Sequence, residues 1–287
     1  MAAPRLVLLT ALAMLAFAAN SVLARLAFAT AGAEPLAYTG IRLASGALAL
    51  GLLLALRGRP LTPIGGSWRG AAALFAYAML FSIAYVLLGA AVGALILFAS
   101  VQIGIIGWAI FKGDRPDAFE WTGLLVALVA FAFLVSPGLV APHPFGTLLM
   151  VVAGLCWAAY TLLGRGSQSP LIDTAGNFIR LLPVSAVLLL GALVTTRIDP
   201  LAAGYAMLSG AIASGLGYAI WYAALPSLQR TTAAIVQLSV PAIAALGGVL
   251  LIGEALTPRL IIASIGILGG VRRPSARWRR RRARTAG

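Results

Sequence analysis

The sequence predicts an all-α integral membrane protein, with ten transmembrane helices arranged as two inverted five-helix repeats. Three observations carry that expectation. The 287 residues are 61% apolar and 10% charged, with 7 acidic side chains, whereas a soluble domain carries about a quarter charged residues. Breaking the chain at Pro, Gly and charge clusters leaves ten apolar stretches, and roughly 20 such residues cross about 30 Å of hydrocarbon. Short elements of the first half also return in the second half at a near-constant shift. Backbone groups in lipid must be satisfied within their own segment, and no strand-like alternation suggests a barrel, so each stretch reads as a helix.

The first stretch, 6–28, is oily except for Asn20 and Ser21 inside "FAANSVLAR" at 17–25. Arg5 and the small residues at 27–29 imitate a signal peptide, but the segment recurs at 147–165, so the sequence argues against cleavage. The second, 35–56, carries Arg42 about two turns inside. The third, 69–88, presents Tyr77, Phe81 and, less neatly, Tyr85; a tight "LGAAV" junction leads to the fourth, 92–111, with Gln102. The fifth is 119–136, and the loop "PGLVAPHPFG" that follows holds His143, read as a solvated loop residue. The sixth, 147–165, carries Trp157, Tyr160 and Thr161; the seventh, 174–195, carries Arg180 and Pro183. The eighth, 204–225, places Ser214, Tyr218, Trp221 and Tyr222 at i, i+4, i+7 and i+8. The ninth, 231–252, supplies Gln237 and the expected hinge Pro241, and the tenth, 258–271, is short.

Loop charges set the orientation. Sixteen of the 21 basic residues lie before the first stretch or after the even-numbered ones, eight of them in the tail "RRPSARWRRRRARTAG". The positive-inside rule then places both termini in the cytoplasm. The tail reads as an anchor on anionic lipid, worth about 1 kcal/mol per basic residue near the surface. Nucleic acid is not an expected partner despite the +14 net charge.

The repeat rests on several matches. "FAANSVLAR" aligns with "WAAYTLLGR" at a shift of 140, and only Asn20 against Tyr160 changes character. "IRL" recurs at 41–43 and 179–181, "SV" at 100–101 and 239–240, and "GD" at 113–114 answers "GE" at 253–254. Charged residues within or near spans are rare, so Arg25/Arg165, Arg42/Arg180 and Asp114/Glu254 weigh most. The boundaries are 1–142, 143–271 and a basic tail, 272–287. An odd number of spans per half inverts the second, the architecture of alternating-access carriers with a midplane site.

With Phe17-Ala18-Ala19-Asn20 in the first span, Pro241 ahead of Gly253-Glu254, and five-plus-five organisation, the chain resembles the drug/metabolite transporter superfamily and its EamA-type members. The run at 85–102, with Tyr85, Leu88-Gly89, Gly93 to Phe98 and Val101-Gln102, is similar to bacterial amino-acid exporters. The chain departs from the pattern twice: Gln102 or its neighbour stands opposite Pro241 where halves often carry a fourth-span Pro, and Asp114 stands for a Glu. The four-span relatives rely on a first-span Glu where this chain has Asn20. No acidic residue lies deep in a span, so proton coupling through a midplane carboxylate is not supported. The resemblance implies that spans 1–4 and 6–9 enclose the cavity, with 5 and 10 peripheral.

Residues three and four apart share a helix face. Phe17, Asn20 and Ser21 form one stripe and Trp157, Tyr160 and Thr161 its counterpart; Tyr77, Phe81, Tyr85, Gln102, Ser214, Tyr218, Trp221, Tyr222 and Gln237 complete the expected solute pathway. Arg42 and Arg180 read either as snorkelling residues paired with an edge acid or as gate or substrate-carboxylate contacts. Tyr38, Trp68, Trp121 and Tyr205 read as interfacial anchors. The expected cargo is a small amphiphilic metabolite, neutral or aromatic amino acids first and drug-like cations next, moved outward. The alternative is an uptake or exchange carrier for a sugar-phosphate or nucleotide-sugar. No enzyme motif is present: one Cys156, one His143, no HExxH and no phosphate-cradling loop. No cofactor, metal or partner chain is expected, and a monomer is the working assumption.

Overall fold

The computed structural model describes residues 3–59, 64–113, 141–165, 167–228 and 236–270 apart from 238, with a few positions between 122 and 133. Among the described residues all regular structure is helical. In order these are α1 (Ala3–Arg25, continuing as a π turn over Leu26–Thr30), α2 (Pro35–Leu56), α3 (Trp68–Leu87) and α4 (Ala90–Phe111). The second group is α5 (Pro144–Gly164), α6 (Pro170–Arg180), α7 (Leu182–Thr195) and α8 (Pro200–Leu208). A π segment, Ser209–Leu216, joins α8 to α9 (Gly217–Ala224), followed by α10 (Ser239–Ile252) and α11 (Pro258–Gly270).

Helix starts follow local chemistry. A side-chain oxygen at the N-cap satisfies an orphan amide, and Pro at the first position sacrifices no hydrogen bond. Glu34 accepts from Ala37 N at 2.8 Å ahead of Pro35, Ser67 accepts from Gly70 N at 3.0 Å, and Asp199 accepts from Leu201 N at 2.8 Å ahead of Pro200. His143, expected as an idle loop residue, caps α5: its Nδ1 accepts from Gly146 N at 3.3 Å.

Six described helices are long and apolar enough to cross a membrane, or seven when the α6–α7 pair counts as one bent span. The bend is 41° and sits at Pro183, the second residue of α7, whose ring clashes and whose missing N–H breaks the ladder. The ten-span expectation extends past this set: most of 119–136 lies outside the described residues, and α10 is a shorter apolar helix. Asp114, Trp121, Arg230 and the 272–287 tail also lie outside them.

Packing turns the usual polarity inside out. Leu48, Leu52 and Leu56 on α2 and Val187, Leu190 and Val194 on α7 face outward, an apolar coat suited to lipid. The interior holds the large rings and most polar side chains: Trp221, Tyr38, Tyr85, Tyr160, Tyr218 and Arg42 are among the largest fully buried groups. Within it α5 runs along α3 and α4, α2 lies against the π segment and α6–α8, and α10 packs on α1 and α4. Among the described residues α11 packs mainly on α4 and α10, and its Ile261, Ile262 and Ile265 are exposed. Close approach uses small residues, as in membrane bundles generally. A Cβ at Gly154 would stand 2.6 Å from the Leu97 carbonyl, and one at Gly210 would collide with Ser45 Oγ and the Arg42 carbonyl.

Candidate functional site

α1, α3, α4, α5 and α9 enclose a small hollow of about 10 Å³. Phe17, Asn20 and Ser21 of α1 line it with Tyr77 and Phe81 of α3 and Trp157 of α5. Tyr218 of α9 and Leu97 and Phe98 of α4 complete the wall. Ligand pockets usually enclose about 300–1,000 Å³ and a single water needs about 10–15 Å³, so the hollow is closed down around its rings. The rings form a continuous set: Phe17 meets Trp157 at 5.7 Å, Tyr218 at 5.8 Å and Phe98 at 6.5 Å, and Trp157 meets Tyr218 at 4.6 Å. A second hollow, also of about 10 Å³, lies among Glu34, Tyr38, Arg197 and Asp199. Its two carboxylates are engaged as caps of α2 and α8, which leaves the central cavity as the candidate site.

A polar network backs the aromatic wall. Asn20 Nδ2 donates to Tyr77 Oη at 3.1 Å, and Asn20 Oδ1 accepts from Ser209 Oγ at 2.5 Å. Arg42 Nε donates to Ser214 Oγ at 3.0 Å, and its Nη2 donates to Tyr218 Oη at 2.9 Å and Tyr77 Oη at 3.2 Å. The guanidinium also lies over the rings of Phe81 at 4.8 Å and Tyr77 at 5.2 Å. Polar groups at this depth persist where other helices satisfy them.

Arg42 does not snorkel. It is 1% exposed, because three hydroxyls and two ring faces, drawn from α3, α9 and the π segment, replace interfacial water. None of its hydrogen bonds goes to a carboxylate; Glu34 caps α2 and Glu254 binds Arg25. The arginine of the second "IRL" behaves differently. Arg180 is half-buried and reaches back to backbone, donating to the Gly65 carbonyl, to Gly176 O at 3.1 Å and to Ile64 O at 3.2 Å. The two arginines share no partner.

The π segment explains how Ser209 and Ser214 both face inward. Its hydrogen bonds run i to i+5 and such turns recur at functional sites; a five-residue step returns Ser209 to Asn20 and Ser214 to Arg42. Face-counting at three and four residues finds Ser214 and Tyr218 but passes over Ser209.

The other expected pathway residues are buried without lining the cavity. Tyr160 stacks on Trp157 at 5.5 Å, and its Oη accepts from Asn177 Nδ2 at 3.4 Å. Tyr222 Oη donates to Tyr160 O at 3.3 Å, and Trp221 packs on Phe17 at 5.8 Å. Thr161, Gln102 and Gln237 are buried nearby, and Pro241 is the third residue of α10. Tyr85 sits past Phe81, its hydroxyl 3.5 Å from Ala90 O. Tyr38, expected at an interface, is buried against Phe28 at 4.8 Å. Leu97, Phe98 and Asn177 were not among the expected pathway residues: the first two lie in the exporter-like run at 85–102 without a polar or periodic mark, and Asn177 is polar near a span end.

Both ends of the bundle are tied. At one, Arg25 Nε meets Glu254 Oε1 at 3.1 Å, Arg25 Nη1 donates to Tyr85 O at 2.9 Å, and Ala90 N donates to Glu254 at 2.8 Å. At the other, Gly66 N donates to Asp173 Oδ1 at 2.7 Å and Ser67 N to Asn177 Oδ1 at 2.9 Å. The 20 residues of α3 join the two ends, a distance of about 30 Å at 1.5 Å per residue.

Residues 144–272 match the model of the EamA-like transporter family. An uncharacterized protein of Pseudomonas aeruginosa is 52% identical over 93% of each chain. The uncharacterized transporter YwfM of Bacillus subtilis is 30% identical over 81% of each. The threonine/homoserine exporter RhtA of Escherichia coli is 32% identical over 60% of this chain and 61% of its own. A solved crystal structure, 19% identical, superposes with a TM-score of 0.64 over 91% of this chain and 94% of that one.

Proposed function

The chain belongs to the EamA-like transporter family, and we propose that it exports small carboxylate-bearing amphiphiles, neutral or aromatic amino acids first, across the bacterial inner membrane. One observation carries the reading. A guanidinium buried without a carboxylate partner stands one hydroxyl behind an aromatic cavity, joined to it through Tyr77 and Tyr218. An uncompensated cation at membrane depth is costly, and a substrate carboxylate is the group that offsets it. The ring faces of Phe17, Tyr77, Trp157 and Tyr218 offer an apolar and cation–π surface to the rest of an amino acid. The threonine/homoserine exporter among the relatives supports amino-acid cargo. Drug-like cations would meet ring faces on the wall but no acidic partner, since none of the lining residues is acidic.

In this reading the halves 1–142 and 143–271 are inverted repeats that rock about the cavity, with Pro241 as a hinge. Both termini are cytoplasmic, so the Arg25–Glu254 joint closes the outer end and the Asp173 and Asn177 contacts close the inner one. The bilayer and a small solute are the partners, with the basic tail on anionic lipid. The alternative cargo, a sugar-phosphate or nucleotide-sugar, asks for several inward cations; the network holds Arg42 and sends Arg180 elsewhere.

Proteoliposomes loaded with labelled threonine and, separately, phenylalanine test the proposal. Saturable efflux above that from empty-membrane vesicles is expected. Background efflux for both and for a wider amino-acid panel overturns it.

A further inference from the structure

The hydrogen-bond inventory around the cavity narrows the cargo beyond amino acids, on the premise that this cavity is the solute site. Arg42 is donor-only. Its Nε and Nη2 protons are taken by Ser214, Tyr218 and Tyr77, while Nη1 has no acceptor among the described residues. Tyr77 Oη already receives protons from Asn20 and Arg42, which fills its two lone pairs. The Tyr77 and Tyr218 hydroxyls lie 3.4 Å apart, so at most one of their two protons is used between them and one phenolic proton is left over. The indole N–H of Trp157, also donor-only, has no acceptor either.

Acceptors are scarce by comparison. The Asn20 carbonyl oxygen already accepts from Ser209 and keeps one lone pair, and none of the cavity-lining residues is acidic. Ser21 adds a neutral hydroxyl to the wall, beside that of Tyr85. An ammonium entering here meets the like charge of Arg42 and no carboxylate. Its place can be taken by ring faces, which accept uncharged groups equally well.

We infer that the site reads the carboxylate of its cargo and tolerates the amino group without requiring it, so that small monocarboxylates lacking an amine are substrates alongside amino acids. The wall matches acceptor-rich, singly negative ends and leaves the α-substituent to apolar contact.

Tryptophan fluorescence titration of the purified full-length protein, with counterflow in proteoliposomes, tests this with two matched sets of probes. One set is threonine, threoninamide and 3-hydroxybutyrate; the other is phenylalanine, phenylalaninamide and 3-phenylpropionate. The deaminated acids are expected to bind within about tenfold of their parents and the amides at least about a hundredfold more weakly, as for a buried donor array left without its acceptor. Arg42→Gln should erase the difference between acid and amide. Should that variant not survive purification, Tyr218→Phe, which removes one phenolic donor, should weaken amino acid and deaminated acid by the same factor. Amino acids binding while the deaminated acids do not overturns the inference and leaves amino-acid export standing. Amides binding as well as acids overturns it too, and binding by none of the six probes overturns both readings.

Discussion

Asn20 spends both ends of its amide inside the protein, donating to Tyr77 and accepting from Ser209. Leucine at that position keeps the volume and loses both bonds. Interhelical hydrogen bonds in membranes average about 0.6 kcal/mol, so Asn20→Leu is expected to cost about 1 kcal/mol of stability and leave a folded protein. Its effect on transport should be larger, because Tyr77 loses the contact that fixes its hydroxyl beside Tyr218. Tyr160→Leu should behave likewise through Asn177 and Trp157. Flux and thermal melts on both variants check this; a wild-type rate in both removes the pathway assignment. Asn20, Ser21, Trp157 and Tyr218 were legible in the sequence because a polar or aromatic side chain stands out in an apolar run. The depth of Arg42 was not, because its partners come from three other parts of the chain and no local pattern announces them.

The π segment between α8 and α9 is where helix geometry decides the site. Gly210 lies against α2, where an added Cβ would strike Ser45 Oγ and the Arg42 carbonyl. Gly210→Ala therefore pushes α2 away from the strap that holds Ser214 under the guanidinium. Overpacking of this kind costs about 1–3 kcal/mol, and a lower melting temperature with reduced flux is expected. Gly51 is the control: it lies within α2 with open space where a Cβ would go. Gly51→Ala should raise stability by up to about 1 kcal/mol through helix propensity alone. Opposite signs in detergent melts support the close approach, and equal signs refute it. Sequence spacing located the starts of α2, α3 and α4 within two residues and placed Pro183 in the bent span. It could not reveal the π register, because a five-residue turn has no composition of its own and Gly210, Gly215 and Gly217 read equally well as packing glycines.

With the hollow closed down and both ends tied, the proposed alternating access requires each joint to open in turn. The joints are small and specific. Glu254 holds α4 through Ala90 N and α1 through Arg25, so its loss frees two helices at once. Asp173 holds the 64–67 segment through Gly66 N and is itself bound by Ser167. The sequence foreshadowed this arrangement only by aligning Arg25 with Arg165 and Glu254 with Asp114 in the expected repeat; Asp114 lies outside the described residues. A charged hydrogen bond contributes about 1.5–3 kcal/mol, less for partly exposed groups such as this pair. Removing one is thus expected to shift the opening equilibrium by roughly tenfold, which is about 1.4 kcal/mol. Ser21→Cys in a Cys156→Ala background places a reporter thiol on the cavity wall. Glu254→Ala should then speed its labelling by a membrane-impermeant maleimide from the outer face and slow it from the inner face, and Asp173→Ala should do the reverse. Two variants that accelerate labelling from both faces together would mean a leak, and the joints would then be ordinary packing contacts rather than alternating closures.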